Sequence, residues 1–426
     1  MTPRPADRTT ARTVVVVLAF LTALATAPHG DAQTLEPPPP TPVPVPGGGR
    51  SPSPFPSVLR TPPPATEAPE IRAAAAALID LESGRTLYAS DGNERRPIAS
   101  LTKIMTAYLV MTRTTRDEVV TVSETAATGT TVGISNLGLG AGERIRVGEL
   151  LYALMLQSAN DAALALAEHV AGSVDGFVSM MNRTAARLGL GDTSFGSPNG
   201  LDNTGYSTAR DLARLTRLAY EIPGFEDLVS TNVHAVTSRG VEPRVVQNRN
   251  ALLWLYPGAT GVKTGFTTPA GFCLVGTAVR GDERVVAVVL GEPGEPFSDA
   301  AALMNFGFAA FDRRSLIEEG RSLGTIDVDG RAVSVAAGDS LHGLVVAGST
   351  VRPEVVLDPA VRFPPGRGDQ IGVVRLTSSG SQLGTVPLVV VDVAPPPPLE
   401  DDVPWWLRAA GSVTRAGGSL VRALFG

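Results

Sequence analysis

Val262–Leu290 reads VKTGFTTPAGFCLVGTAVRGDERVVAVVL. Its β-branched and other apolar residues fall into two or three strand-like runs, with Gly281-Asp282 between them as a turn. Residues 71–92, IRAAAAALIDLESGRTLYASDG, repeat the theme upstream: a strand, a turn at Gly84 and a second strand, making a hairpin. The text between these β-rich ends is helical. SLTKIMTAYLVMTRT (100–114) has apolar positions at helical spacing. GERIRVGELLYALMLQSAND (142–161) and AALALAEHVAG (162–172) read as helices around a short break, and Asp299–Phe311 closes with an apolar helix. Strands at both ends with helices between them predict an α/β domain built around one sheet.

The character changes after Arg313. Short strands alternate with Gly, Asp and Pro turns through Val393, which predicts a small all-β module; only Ser315–Glu319 suggests a little helix. The two ends are different again. Arg4, Arg8 and Arg12 precede an apolar run from Val14 to Ala27, the pattern of an export signal, with cleavage after Ala27 or Ala32. The tract that follows is rich in Pro, Ser and Gly and predicts an extended spacer. In the last stretch Arg408, Arg415 and Arg422 recur every seven positions, opposite Trp406, Val413, Leu420 and Leu424. That arrangement predicts an amphipathic helix lying on a membrane surface. The expected division is therefore 1–32 export signal, 33–70 linker, 71–312 main α/β domain, 313–394 all-β domain, and 395–426 proline linker with membrane-anchoring helix. These ends place the protein on the outer face of the cytoplasmic membrane.

Composition narrows the chemistry. A net charge of −6 over 426 residues argues against a nucleic-acid-binding surface. One cysteine, Cys273, excludes an internal disulfide, and four scattered histidines offer no zinc cluster. No metal or cofactor is expected. More telling, only two of the 36 basic residues are lysines, Lys103 and Lys263. Arginine stays protonated in proteins, whereas a desolvated lysine can lose its proton and act as a base. Both lysines are thus candidates for chemistry.

Each sits in a suggestive setting. Ser100 lies at the start of its helix with Lys103 at i+3, on the same face, so the amine can reach the hydroxyl. The helix N-terminus favours an alkoxide and a later oxyanion. Lys263 opens Lys263-Thr264-Gly265, followed by Phe266 and Thr267 in β-rich sequence. Glycine there lets a ligand backbone approach the strand edge, and the cation and hydroxyls suit an anionic, peptide-like ligand added as a strand. Ser158-Ala159-Asn160 stands in the break between two helices, offering a hydroxyl for proton relay and an amide to orient Lys103.

In order, SxxK, SxN and KTG resemble the motif set of penicillin-binding proteins and class A β-lactamases. The flanking text IASLTKIMTA, SPNGLDNTGYSTARDLARL and NALLWLYPGATGVKTGFT is similar to the low-molecular-mass D-alanyl-D-alanine carboxypeptidases. The resemblance implies a β-lactamase/transpeptidase-like sheet flanked by helices with a helical subdomain. It implies a serine-type carboxypeptidase that removes the terminal D-alanine from peptidoglycan stem pentapeptides through an acyl-enzyme on Ser100, with β-lactams as inhibitors. Lys103 would be the base and Ser158 the proton relay. Asn160, Lys263, Thr264, Gly265, Phe266 and Thr267 would bind substrate, with Ser100 and Phe266 N–H groups as oxyanion hole. Family members often carry an arginine just before the closing helix; here residues 294–299 read GEPFSD, with no basic residue. The alternatives are a D,D-endopeptidase cleaving peptidoglycan crosslinks, a class A β-lactamase, or a non-catalytic cell-wall-binding protein. Cys273, His169 and His234 read as structural, and Asn199 and Asp202 as turn formers.

Overall fold

The computed structural model describes residues 66–128, 135–202, 204–328, 331–359 and 365–393. The expected export signal, most of the proline-rich linker and the amphipathic C-terminal helix lie outside these residues. The described chain falls into two compact units, the first ending at Asp312 and the second beginning at Arg313. Among the described residues no helix is long and apolar enough to cross a membrane.

The strands of the first unit are β1 (Ala75–Asp80), β2 (Thr86–Ser90), β3 (Val119–Thr121), β4 (Arg144–Arg146), β5 (Val233–Ser238), β6 (Val241–Gln247), β7 (Ala259–Thr267), β8 (Gly271–Arg280) and β9 (Glu283–Glu292). Five form an antiparallel sheet in the order β2-β1-β9-β8-β7, so the two β-rich ends of the domain meet through β1 and β9. The middle residues of β8 and β9 are buried without alternation, because both sheet faces are covered. Neighbouring residues of β8 identify the two covers. A Cβ on Gly276 would touch Ala300 and Met304 of the Pro296–Ala310 helix, while Thr277 on the other face hydrogen-bonds Tyr220 of the Ala209–Tyr220 helix. β7 is an edge strand, paired with β8 on one side only, and it carries Lys263, Thr264 and Gly265.

The longer helices of this unit bury apolar faces. Lys103–Arg113 buries Ile104, Met105, Leu109 and Val110; Asn160–Ala171 is buried along most of its length, as its run of Ala and Leu dictates. Val174–Arg187 and Ala209–Tyr220 start at side-chain caps, Ser173 accepting from Gly176 N–H and Thr208 from Asp211 N–H. β3, β4, β5 and β6 make a second, smaller sheet. The structure corrects the helical reading at its start: Arg144–Arg146 is strand β4, and the helix begins only at Val147.

The second unit contains β10 (Phe311–Ile317) from Arg313 onward, β11 (Ser322–Val328), β12 (Arg331–Ala337), β13 (Leu341–Val346), β14 (Arg352–Leu357), β15 (Gln370–Ser378) and β16 (Ser381–Val393). Its main sheet runs β11-β12-β16-β15-β14 over a core of Val335, Val374, Leu376 and Leu388, and β10 pairs with β13. The little helix expected around Ser315–Glu319 is not there. Ser315–Ile317 belong to β10, where pairing with β13 decides the conformation of a short segment of mixed propensity.

Candidate active site

Ser100 lies in a 3-10 turn, Ala99–Thr102, that runs into the Lys103–Arg113 helix. Ala99 enters this turn at φ 46, a left-handed conformation that a non-glycine residue adopts only where the surroundings enforce it. Gly200 is part of that enforcement. It sits at φ 79 with the Ala99 carbonyl so close that a Cβ there would lie 1.9 Å from the oxygen. The chain at Gly200 thus presses the Ser197–Asp202 loop onto the turn that carries Ser100.

The Lys103 side chain is wholly buried, at 0% exposure. Its Nζ lies 2.9 Å from Ser100 Oγ, 2.8 Å from Asn160 Oδ1 and 2.7 Å from the Asn199 carbonyl oxygen. Burial, with the neighbouring cations Lys263 and Arg249, pushes its pKa well below the ordinary lysine value; Asp161 opposes this weakly. An ammonium would donate to all three oxygens. A free amine donates to the two carbonyl oxygens, and its lone pair is left to accept the Ser100 hydroxyl proton. The arrangement is therefore one in which the Lys103 amine can accept a proton from Ser100.

Ser158 and Asn160 owe their positions to an irregular stretch. Val147–Tyr152 continues as a π-helical turn, Ala153–Gln157, which ends at Ser158 in the left-handed region (φ 66, ψ 33) before the helix resumes at Asn160. That conformation costs a serine about 1–2 kcal/mol, and π-turns and such strain gather at functional sites. Asn160 is fixed from the other side: its backbone N–H and Nδ2 both donate to the Ser135 carbonyl, at 2.8 and 2.9 Å.

Gly265 of β7 faces the Ser100 turn, where an added Cβ would come within 3.1 Å of Ser100 N. The sheet edge and the turn are thus in contact, and only glycine leaves that distance open. Lys263 is 1% exposed, and its Nζ donates to the Thr264 carbonyl at 3.2 Å. Burial and the positive charge of Arg249 lower its pKa to about 7. Thr267 Oγ1 accepts from Ala270 N–H at 3.3 Å, closing the β7–β8 turn, and Phe266 is exposed with its ring against Phe272.

Sequence reading missed Arg249. Its Nη1 donates to Ser135 Oγ at 2.6 Å, and burial lowers its pKa. Among the described residues neither Lys263 nor Arg249 is in an ion pair with a carboxylate. Two buried basic groups thus lie close to the Ser100 turn. An arginine within the polar run Gln247-Asn248-Arg249-Asn250 carried no periodic signal. The Asn199 carbonyl was equally illegible, although Asn199 and Asp202 do form the expected turn, both accepting from Ser197 Oγ. His169 and His234 bond Glu118 and Glu149, and Cys273 is buried, its thiol pushed up to about 11.

Known proteins resemble this chain in sequence and fold. The family profile described as D-alanyl-D-alanine carboxypeptidase matches residues 63–294. D-alanyl-D-alanine carboxypeptidase DacF of Bacillus subtilis is 31% identical over 330 residues, covering 74% of this chain and 84% of DacF. DacC of Escherichia coli is 33% identical over 345 residues, covering 76% and 85%. The crystal structure of penicillin binding protein 5 from Haemophilus influenzae superposes with a TM-score of 0.64 at 30% identity, covering 77% of this chain and 99% of that one. The mixed α/β fold is therefore that of solved D,D-peptidases, and the match spans the strand edge, the serine turn and the helices between them. By profile, sequence and fold together, the chain belongs to the D-alanyl-D-alanine carboxypeptidase family.

Proposed function

We propose that this protein is a serine-type D-Ala-D-Ala carboxypeptidase that removes the terminal D-alanine of peptidoglycan stem pentapeptides and is inhibited by β-lactams. The observation that carries the reading is the buried Lys103 amine, in hydrogen-bond reach of Ser100 Oγ and held by Asn160 and Asn199. In acylation Lys103 takes the Ser100 proton as Oγ attacks the penultimate D-alanine carbonyl. The Ser100 and Phe266 N–H groups receive the oxyanion. The carbonyl C–N bond then breaks, and a proton passes through Ser158 to the leaving D-alanine nitrogen. Water hydrolyses the acyl-enzyme, with Lys103 again as base. A β-lactam acylates the same serine, but its amine stays tethered and water is slow to follow.

The terminal carboxylate is assigned to Lys263, Arg249 and the Thr264 and Thr267 hydroxyls, with Gly265 leaving room at the strand edge. Arg249 supplies a guanidinium from the segment before β7, which residues 294–299 do not. It supports recognition of a free terminal carboxylate and so favours the carboxypeptidase over the crosslink-cutting endopeptidase. We assign 71–312 as the catalytic domain and 313–394 as an accessory β domain. We further propose that residues 1–32 direct export, 33–70 act as spacer, and 395–426 hold the enzyme to the outer face of the membrane. The test is fluorescent-penicillin labelling of wild type and Ser100→Ala, followed by D-alanine release from a pentapeptide. Labelling that survives in Ser100→Ala refutes the nucleophile; labelling without release refutes the carboxypeptidase.

A further inference from the structure

The Asp161 carboxylate, 1% exposed, receives four backbone N–H groups. Oδ1 accepts from Leu137 at 2.9 Å and Ala162 at 2.8 Å; Oδ2 accepts from Gly138 at 2.8 Å and Leu139 at 3.1 Å. Three consecutive N–H groups converge because Gly138 is left-handed, at φ 80. The residue at the head of this turn is Ser135, which has two duties. Its carbonyl takes both Asn160 donors, so that Oδ1 is the amide atom left to face Lys103, and its Oγ takes Arg249 Nη1.

We infer that Asp161 is a positioning residue, anchoring the 135–139 turn so that Ser135 fixes both Asn160 on the base and Arg249 on the carboxylate site. The inference rests on the carboxypeptidase reading above. One anchor thereby keeps the acylation machinery and the substrate-recognition cation in register. Asp161 also carries the negative charge that Lys103 feels. Lys263 from β7 and Arg249 from the preceding segment oppose the Lys103 ammonium, and Asp161 from the Asn160–Ala171 helix favours it.

Asp161→Asn separates these duties from bulk folding. The amide keeps one acceptor oxygen but turns an NH2 towards the Gly138 and Leu139 N–H groups, releasing half of the anchor. Penicillin acylation and kcat/KM for a D-Ala-D-Ala peptide should fall about 30-fold at pH 7. The acid limb of kcat/KM should also move to lower pH, because the ammonium of Lys103 loses its stabilising charge and the free amine persists further into acid. Asp161→Glu should return the limb towards its wild-type position. A purely structural role would lower the rate at every pH and leave the limb where it was. Activity within three-fold of wild type, or an unmoved limb, overturns the inference. Ser135→Ala keeps the carbonyl and removes only the Arg249 contact; its loss should fall on KM, raised about five-fold, with no shift of the limb. If Asp161→Asn does not fold, that variant decides, and an unchanged KM refutes the proposal. Failure of wild type to be acylated at Ser100 would instead refute the function proposed above.

Discussion

Replacing Lys103 by arginine tests the removable proton directly. In wild type the amine is within hydrogen-bond reach of Ser100 Oγ, at 2.9 Å, in a site with no exposure and two further cations nearby. Arginine fills the position with a group that keeps its proton at any working pH and has no lone pair to accept another. General-base catalysis contributes about 10²–10⁴-fold, or roughly 3–5 kcal/mol of barrier. A permanent charge beside Lys263 and Arg249 puts the expected loss at the upper end, about 10⁴-fold in acylation. The guanidinium is also larger, and overpacking a closed site costs about 1–3 kcal/mol, so urea unfolding must be measured on the same sample. The assay is stopped-flow acylation by a fluorescent penicillin from pH 6 to 9. Wild type should show an acid limb, since Lys103 must be deprotonated to act. Lys103→Arg should be slow and flat. Acylation within ten-fold of wild type, or an acid limb in the variant, would refute Lys103 as the base.

Two further outcomes follow from the neighbouring residues. Lys263 binds an anion only while protonated, and its pKa in the free protein is about 7; KM for a D-Ala-D-Ala peptide should therefore rise above pH 7, by up to about ten-fold per unit. In Lys263→Arg, KM should be higher at pH 6 but flat to pH 9, and a flat profile in wild type would count against the assignment. Gly200→Ala combines a left-handed φ of 79 with a Cβ 1.9 Å from the Ala99 carbonyl. It should cost at least about 2 kcal/mol in urea unfolding and slow acylation by displacing Asn199, whereas an unchanged midpoint would contradict the packing described.

The parts of the site legible in the sequence are those in which side-chain type and local spacing already state the chemistry. Ser100 and Lys103 share one helical turn, and Lys263-Thr264-Gly265 lies on a strand whose β character is plain. What escaped is held by tertiary contacts. The Asn199 carbonyl reaches Lys103 because a loop folds back, and any residue has a carbonyl. Arg249 matters for its position against Ser135 and Lys263, which no periodicity reports. The fold behaves likewise. The hairpin at β1–β2 and the runs of β8–β9 show as local patterns, whereas Arg144–Arg146 and Ser315–Ile317 are strands only because β3, β5 and β13 lie alongside to pair with them.

The burial of both lysines has a consequence for how this protein meets reagents. The chain has no side-chain amine other than Lys103 and Lys263, and these are 0% and 1% exposed. Succinimidyl esters, aldehydes and other amine-directed couplings thus find no lysine on the folded surface, where arginines carry the positive charge. Lysine modification becomes a readout of opening: a lysine adduct dates the moment at which the active site itself came apart. Conversely, one lysine added on the surface would be the sole exposed lysine, addressable without touching Lys103 or Lys263.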